Sequence, residues 1–175
     1  MLSGVLCKPK REKYEHISRF GNIASFLKDL SRTNPGTKTS LVTRNGRFKR
    51  VFVALGVCIA SYTHTTRIVG LDACHVKASY GGAVLVMTVL DGNGQVFPSA
   101  IAIAESENQE TWSWFLSLVQ SSFPINDGSN VVFLSDREKG IYHAVSRLFP
   151  AAAHSHCVYH IQKTSSLNST WTLMG

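Results

Sequence analysis

The chain has 175 residues, 44% of them hydrophobic and 17% charged, values of an ordinary globular domain and far from those of a disordered polyanion or polycation. No apolar run approaches the roughly 20 residues that span a bilayer, and "MLSGVLCKPKREKYEH" lacks the order of charge and apolar core that marks a secretory signal. Cys7, Cys58, Cys74 and Cys157 are scattered, so no disulfide framework is indicated and a reducing compartment is expected.

Charge is unevenly spread. Residues 1–50 hold 12 Lys or Arg against 3 acids (+9), and residues 51–175 hold 6 against 8 (−2). A basic front end on a slightly acidic body predicts contact with a polyanion, most simply nucleic acid. The plainer readings are a solvated surface, or a short import signal in "KPKREK" (8–13).

In chain order, Ile23, Phe26, Leu27 and Leu30 recur at i, i+3, i+4 and i+7 and predict an amphipathic helix, ended by Asn34-Pro35-Gly36. Asn45-Gly46 between two β-prone arms predicts a hairpin. Residues 52–62 are apolar and fit helix or strand equally well. "RIVGLDACHV" (67–76), "GAVLVMTVLD" (82–91) and "VFPSAIAIAE" (96–105) read as three strands joined by short loops, which favours an antiparallel meander. A helix follows, with Ser106 and Gln109 as its capping box and Trp112, Leu116, Val119 and Phe123 along one face. Trp112 reads as core; Trp114 falls off the stripe and could stack on bases or simply pack. "NVVFLSD" (130–136) is a continuous apolar run suited to a central strand. Ile141, Ala144, Val145 and Leu148 predict a last helix stopped by Pro150, and "AAHSHCVYH" (152–160) a last short strand.

The order β-β-β-α-β-α-β describes an α/β fold with an RNase H-like mixed sheet, preceded by a small α+β extension. Strand 67–75 is expected beside and parallel to strand 130–136. Asp72 and Asp136 then converge at the carboxyl ends of the two strands, where ligands of open α/β sheets gather. A carboxylate in such a place costs several kcal/mol unless it is paired or holds a cation, and two of them suit Mg²⁺ or Mn²⁺. The competing readings are an ion pair of Asp72 with Lys77 or Arg67, and a helix-start role for Asp136 beside a Ser135–Glu138 capping box. Asp91 and Asp127 lie in "DGNGQ" and "NDGSN" and read as turn residues. Cys157 and His160, with His154 and His156 nearby, resemble half of a zinc site without a second ligand pair to complete it.

"GLDACHVKASYGGAVLVMTVLDGNGQVFPSAIAIAESENQETWSWFL" and "FLSDREKGIYHAVSRLFPAAAHSHCVYH" together resemble the transposase domain of Mutator-like elements. The pattern there is Asp-Gly-Thr-His, then Asp-Gly-Asn-x-Gln, Ser-Glu-Asn with Trp-x-Trp-Phe, Ser-Asp-Arg, and Cys-x-x-His. The likeness covers roughly residues 22–163. It implies an RNase H-like nuclease with a DDE triad that cuts and joins DNA with divalent metal. Asp72 matches the first acid and Asp136 the second, while Cys157 and His160 match Cys-x-x-His. It implies further a nuclear protein that binds the element's terminal repeats and self-associates when intact. Two departures stand out. Ala73-Cys74 replaces Gly-Thr, and "TSSLNSTWTLMG" (164–175) holds no acid where the third, a Glu, is expected downstream. The expectation is therefore a basic extension (1–66), a partial transposase core (67–163) and a divergent tail (164–175). Such a fragment would hold divalent ions weakly and be inactive, the alternative being a domesticated DNA-binding regulator.

Overall fold

The computed structural model describes residues 22–76, 81–136 and 139–156. Helix α1 (Ile23–Thr33) leads into β1 (Lys38–Arg44) and β2 (Arg47–Ala54), then α2 (Gly56–Ser61) and a 3-10 turn (Tyr62–His64). β3 (Ile68–His75), β4 (Ala83–Leu90) and β5 (Val96–Ala104) follow, then α3 (Gln109–Ser122), β6 (Val132–Ser135), α4 (Lys139–Leu148) and β7 (Ala153–His156). From β3 onward this is the β-β-β-α-β-α-β order expected of the sequence. No helix among the described residues is long and apolar enough to cross a membrane.

All seven strands form one mixed sheet in the order β1-β2-β5-β4-β3-β6-β7. β3, β4 and β5 make the antiparallel meander, and β6 and β7 join parallel to β3 across helical crossovers. β2 runs antiparallel to β5, pairing Val51 with Ile103 and Val53 with Ile101. The hairpin ahead of the meander is thus an extension of the same sheet.

The ambiguous stretch 52–62 divides at Leu55: strand before it, helix after. Gly56 lies so close to Pro35 that a Cβ there would stand 1.9 Å from the Pro35 carbonyl oxygen. The hairpin turn places Asn45 and Gly46 at φ 53° and 70°, the left-handed region that Asn and Gly tolerate best.

The alternation of β4 shows how the sheet divides. Ala83, Leu85, Met87 and Val89 are buried, and the residues between them are half-buried. The buried set joins Phe52, Val69, Leu71, Ala102 and Phe133 from the other strands and Trp112, Phe115, Leu116, Val119, Ile141 and Val145 from α3 and α4 in one core. Each large apolar side chain so placed contributes up to about 1.5–3 kcal/mol. Phe115 belongs to this core, where it meets Trp112 edge-on at 5.8 Å. The opposite face keeps Ile101 and Ile103 at 41% and 44% exposure.

Two sequence expectations need correction. The cap of α3 is Asn108 rather than Ser106: the Asn108 side chain accepts from the Thr111 amide, and Thr111 Oγ1 accepts from the Asn108 amide. Ser106 lies too far upstream. Its carbonyl instead accepts from Thr111 Oγ1. In α1, Phe26 is 62% exposed while Leu27 is buried, so the buried stripe is narrower than the spacing suggested.

Candidate functional site

Strand parity decides where the two aspartates lie. In β3, Val69 and Leu71 point into the core, so Gly70 and Asp72 face the opposite side. β6 repeats this, with Phe133 and Ser135 buried and Val132 and Leu134 half-buried. The parallel register pairs Ile68 with Val132, Val69 with Phe133 and Gly70 with Leu134, a constant offset of 64 residues (134 − 70). The same offset matches Asp72 to Asp136, one residue past the end of β6. Continued at that offset, with neighbouring strands about 5 Å apart, the register sets the two residues level at the carboxyl ends of β3 and β6.

Close packing prepares this face. A Cβ on Gly70 would stand 2.4 Å from Thr88 Oγ1 on the adjacent strand, and Thr88 Oγ1 donates to the Gly70 carbonyl at 3.4 Å. Only glycine lets β3 and β4 keep that contact two residues before Asp72. Asp72 is exposed, and its Oδ1 accepts from the Ala73 amide at 2.9 Å. It forms no ion pair with Arg67, whose guanidinium instead lies 6.0 Å from the Tyr62 ring; Lys77 lies outside the described residues.

Asp136 is held from the core side. The Ser135 hydroxyl donates to the Asp136 carbonyl at 2.8 Å and lies 2.8 Å from His154 Nε2. A hydroxyl has one proton to give, so His154 must donate through Nε2–H. Its Nδ1 is then a bare acceptor, buried and without a partner among the described residues. Burial, reinforced by the charge of His156, holds His154 below its ordinary pKa, which agrees with a neutral ring. Tyr142 of α4 stacks on that ring, with centroids 5.8 Å apart. The Glu138 half of the expected capping box lies outside the described residues, as do Cys157 and His160.

The donor set suits a hard divalent cation. Two carboxylates at adjacent strand ends present only oxygen, and Mg²⁺ commonly binds through one or two carboxylates while keeping several waters. Among the described residues no group of three His, Cys, Asp or Glu side chains converges to complete such a site. Asp91 and Asp127 are turn residues: Asp91 Oδ1 accepts from the amides of Asn93 and Gln95, each at 2.8 Å, and Asp127 Oδ1 from that of Ser129 at 3.1 Å.

A separate charged cluster, which the sequence did not reveal, ties β2 to the end of β5 and the start of α3. Arg50, 4% exposed, donates Nε–H to Glu105 Oε2 at 2.8 Å and NH2 to Glu110 Oε1 at 2.6 Å, with a further bond to Glu105 Oε1. Its guanidinium lies 5.6 Å from the Trp114 ring, which gives that tryptophan a packing role. Lys49 adds contacts to Glu105 and Glu110. Burial alone would raise the Glu105 carboxyl, but hydrogen bonds from Arg50 and the nearby cations hold it below its ordinary value. Arg50 is raised in turn, chiefly by its bond to Glu105. Glu107 belongs to neither group: it accepts from Trp112 Nε1 at 3.2 Å and lies 3.8 Å from His75.

The chain has no match among curated proteins. A family model, the MULE transposase domain, matches residues 68–164, from the first residue of β3 past the end of β7 and across both aspartates. That span is 97 residues (164 − 68 + 1), more than half of 175, and the chain belongs to the MULE transposase domain family.

Proposed function

We propose that Asp72 and Asp136 form the core of a divalent-metal site for DNA strand cleavage and transfer, on an RNase H-like sheet of the DDE type. The observation that carries this reading is the register of β3 and β6, which brings two acids 64 residues apart in sequence to neighbouring strand ends within the matched family span. Mg²⁺ or Mn²⁺, when bound, polarises the scissile phosphate and lowers the pKa of an attacking water or 3′-hydroxyl. Asp72 and Asp136 hold the cation and so fix where the phosphodiester must lie. The Ser135–His154 pair, attached to the Asp136 peptide from the core side, restrains the backbone from which that carboxylate projects. Val86 and Ile101, level with Asp72 across the sheet, give the site an apolar flank that limits competing water.

The described residues supply two acids, and a DDE-type site requires three. A site of these two acids is therefore proposed to bind divalent cations weakly and to turn over little DNA. Isothermal titration of Mn²⁺ without DNA tests the site. Weak binding should be present in the native chain and lost in both Asp72→Asn and Asp136→Asn. Unchanged Mn²⁺ binding in both variants would remove the basis of the proposal, and robust metal-dependent nicking by the 175-residue chain would overturn its low activity.

A further inference from the structure

The tip of the β1–β2 hairpin carries a charge arrangement that the fold does not explain. Residues 38–50 hold five cations, Lys38, Arg44, Arg47, Lys49 and Arg50, and no acid. Lys49 and Arg50 are neutralised by Glu105 and Glu110. Arg44 and Arg47 are exposed, and neither forms an ion pair among the described residues. The two are Cα partners in the ladder, directly opposite each other across the turn. Like charges so placed destabilise a strand pair. Together with Asn45, Phe48 and Lys49 they line an open recess at the tip.

The registers also say where this tip lies. His75 pairs with Ala83, and Ala83 with Ala104. Val51 pairs with Ile103, so one step further sets Arg50 level with Ala104 and His75. Arg47 is three residues beyond that level, and Asp72 three residues before it. At about 3.4 Å per residue the two are about 20 Å apart along the strands, and the three strand steps from β3 to β2 add about 14 Å sideways. The diagonal is about 25 Å, toward the same end of the sheet. Phosphates of one B-DNA strand advance about 3.4 Å per base pair along the axis, so a duplex reaches both places within about seven base pairs.

We propose that the hairpin tip, through Arg44 and Arg47, grips the phosphate backbone of duplex DNA beside the segment that meets Asp72 and Asp136; that placement rests on the proposed carboxylate site, while the grip itself does not. Paired guanidinium groups suit phosphate oxygens because each can bind two of them at once. The exposed turn, residues 43–47, presents no aromatic ring, and Phe48, which lines the recess, is half-buried, so the tip offers little of the stacking surface that single strands need. Placing a polyanion against the tip also relieves the repulsion that the free hairpin tolerates.

The experiment titrates the full chain against a fluorescein-labelled 20-base-pair duplex by anisotropy, in EDTA, between 50 and 200 mM NaCl. Each phosphate neutralised contributes about 0.9 to the slope of log K against log salt. Arg44→Gln/Arg47→Gln should therefore lower the slope by about 1.8 and weaken binding at least tenfold at 50 mM. Arg44→Lys/Arg47→Lys should keep most of the slope. Thermal melting of the Gln variant should match or exceed that of the native chain, because a like-charge pair has been removed. An unchanged slope in the Gln variant overturns the proposal, as does a loss seen only with single-stranded DNA or RNA. With metal chelated, the difference between the native chain and the Gln variant reads the hairpin, whereas the carboxylate site is read by Mn²⁺ binding without DNA, so the two readings fail separately.

Discussion

Arg50 and Glu105 form an ion pair whose two halves are unequally exposed, and that inequality predicts an asymmetry between their substitutions. The Arg50 side chain is 5% exposed, that of Glu105 37% and that of Glu110 70%. In Arg50→Met the buried cation disappears, a side chain of similar length fills its place, and the two carboxylates turn to water. The expected loss is about 1 kcal/mol, since apolar replacements of buried charges are often near neutral. In Glu105→Ala a guanidinium stays buried with one solvent-exposed carboxylate left to it. Hydrogen bonds to charged groups contribute about 1.5–3 kcal/mol, and orphaning a buried charge costs more than removing it. Allowing for solvent screening at Glu105, the expected loss is about 2–3 kcal/mol. The double variant should then resemble Arg50→Met alone, a coupling of about 2 kcal/mol. Urea unfolding followed by tryptophan fluorescence, with constant m-values, measures all four corners of the cycle. Additive losses, or a Glu105→Ala loss smaller than that of Arg50→Met, would refute the claim that burial of the guanidinium governs this cluster.

Gly56→Ala should destabilise by at least about 2 kcal/mol, read as a lower melting temperature, because the new methyl meets the Pro35 carbonyl rather than a side chain that can yield; helix propensity alone predicts a gain at this position, so a raised melting temperature would show that the contact relaxes. Stability should also fall on acidification. Glu105 titrates below its ordinary value of 4.5 in the folded chain, so its contribution is complete above 4.5 and is lost as pH falls through that lower value; melting curves between pH 6 and 3 should show this decline and a shallower one in Glu105→Gln.

Much of the architecture was legible because the signals were local. Alternation of period two marked β3 to β5, and the spacing Ile141, Ala144, Val145, Leu148 marked α4. The parallel pairing of β6 with β3 was legible for a different reason: the element order leaves few ways to arrange the strands, and right-handed crossovers put β6 beside β3. Features made by distant residues were not legible. Nothing near Arg50 announces that Glu105 and Glu110 will meet it, because that contact depends on β2 pairing with β5, a choice among edges that periodicity cannot make. The start of α3 is not legible because Ser, Glu, Asn and Gln in succession offer several plausible starts, and the side-chain geometry of Asn108 and Thr111 settles which is used. Phe115 lies off the single stripe Trp112, Leu116, Val119, Phe123 yet is buried, because α3 packs against both the sheet and α4.

The back-to-back arrangement of Leu71 and Asp72 has a consequence for how this chain can change through time. One residue is seated among Val69 and Phe133 and the next points the other way, so inserting or deleting a single codon just upstream in β3 would exchange their sides, drive a carboxylate into the packed interior and push a leucine outward. Substitutions there can be graded, but length changes cannot. Related members of the family should therefore vary in length at the loops around this strand and not within it.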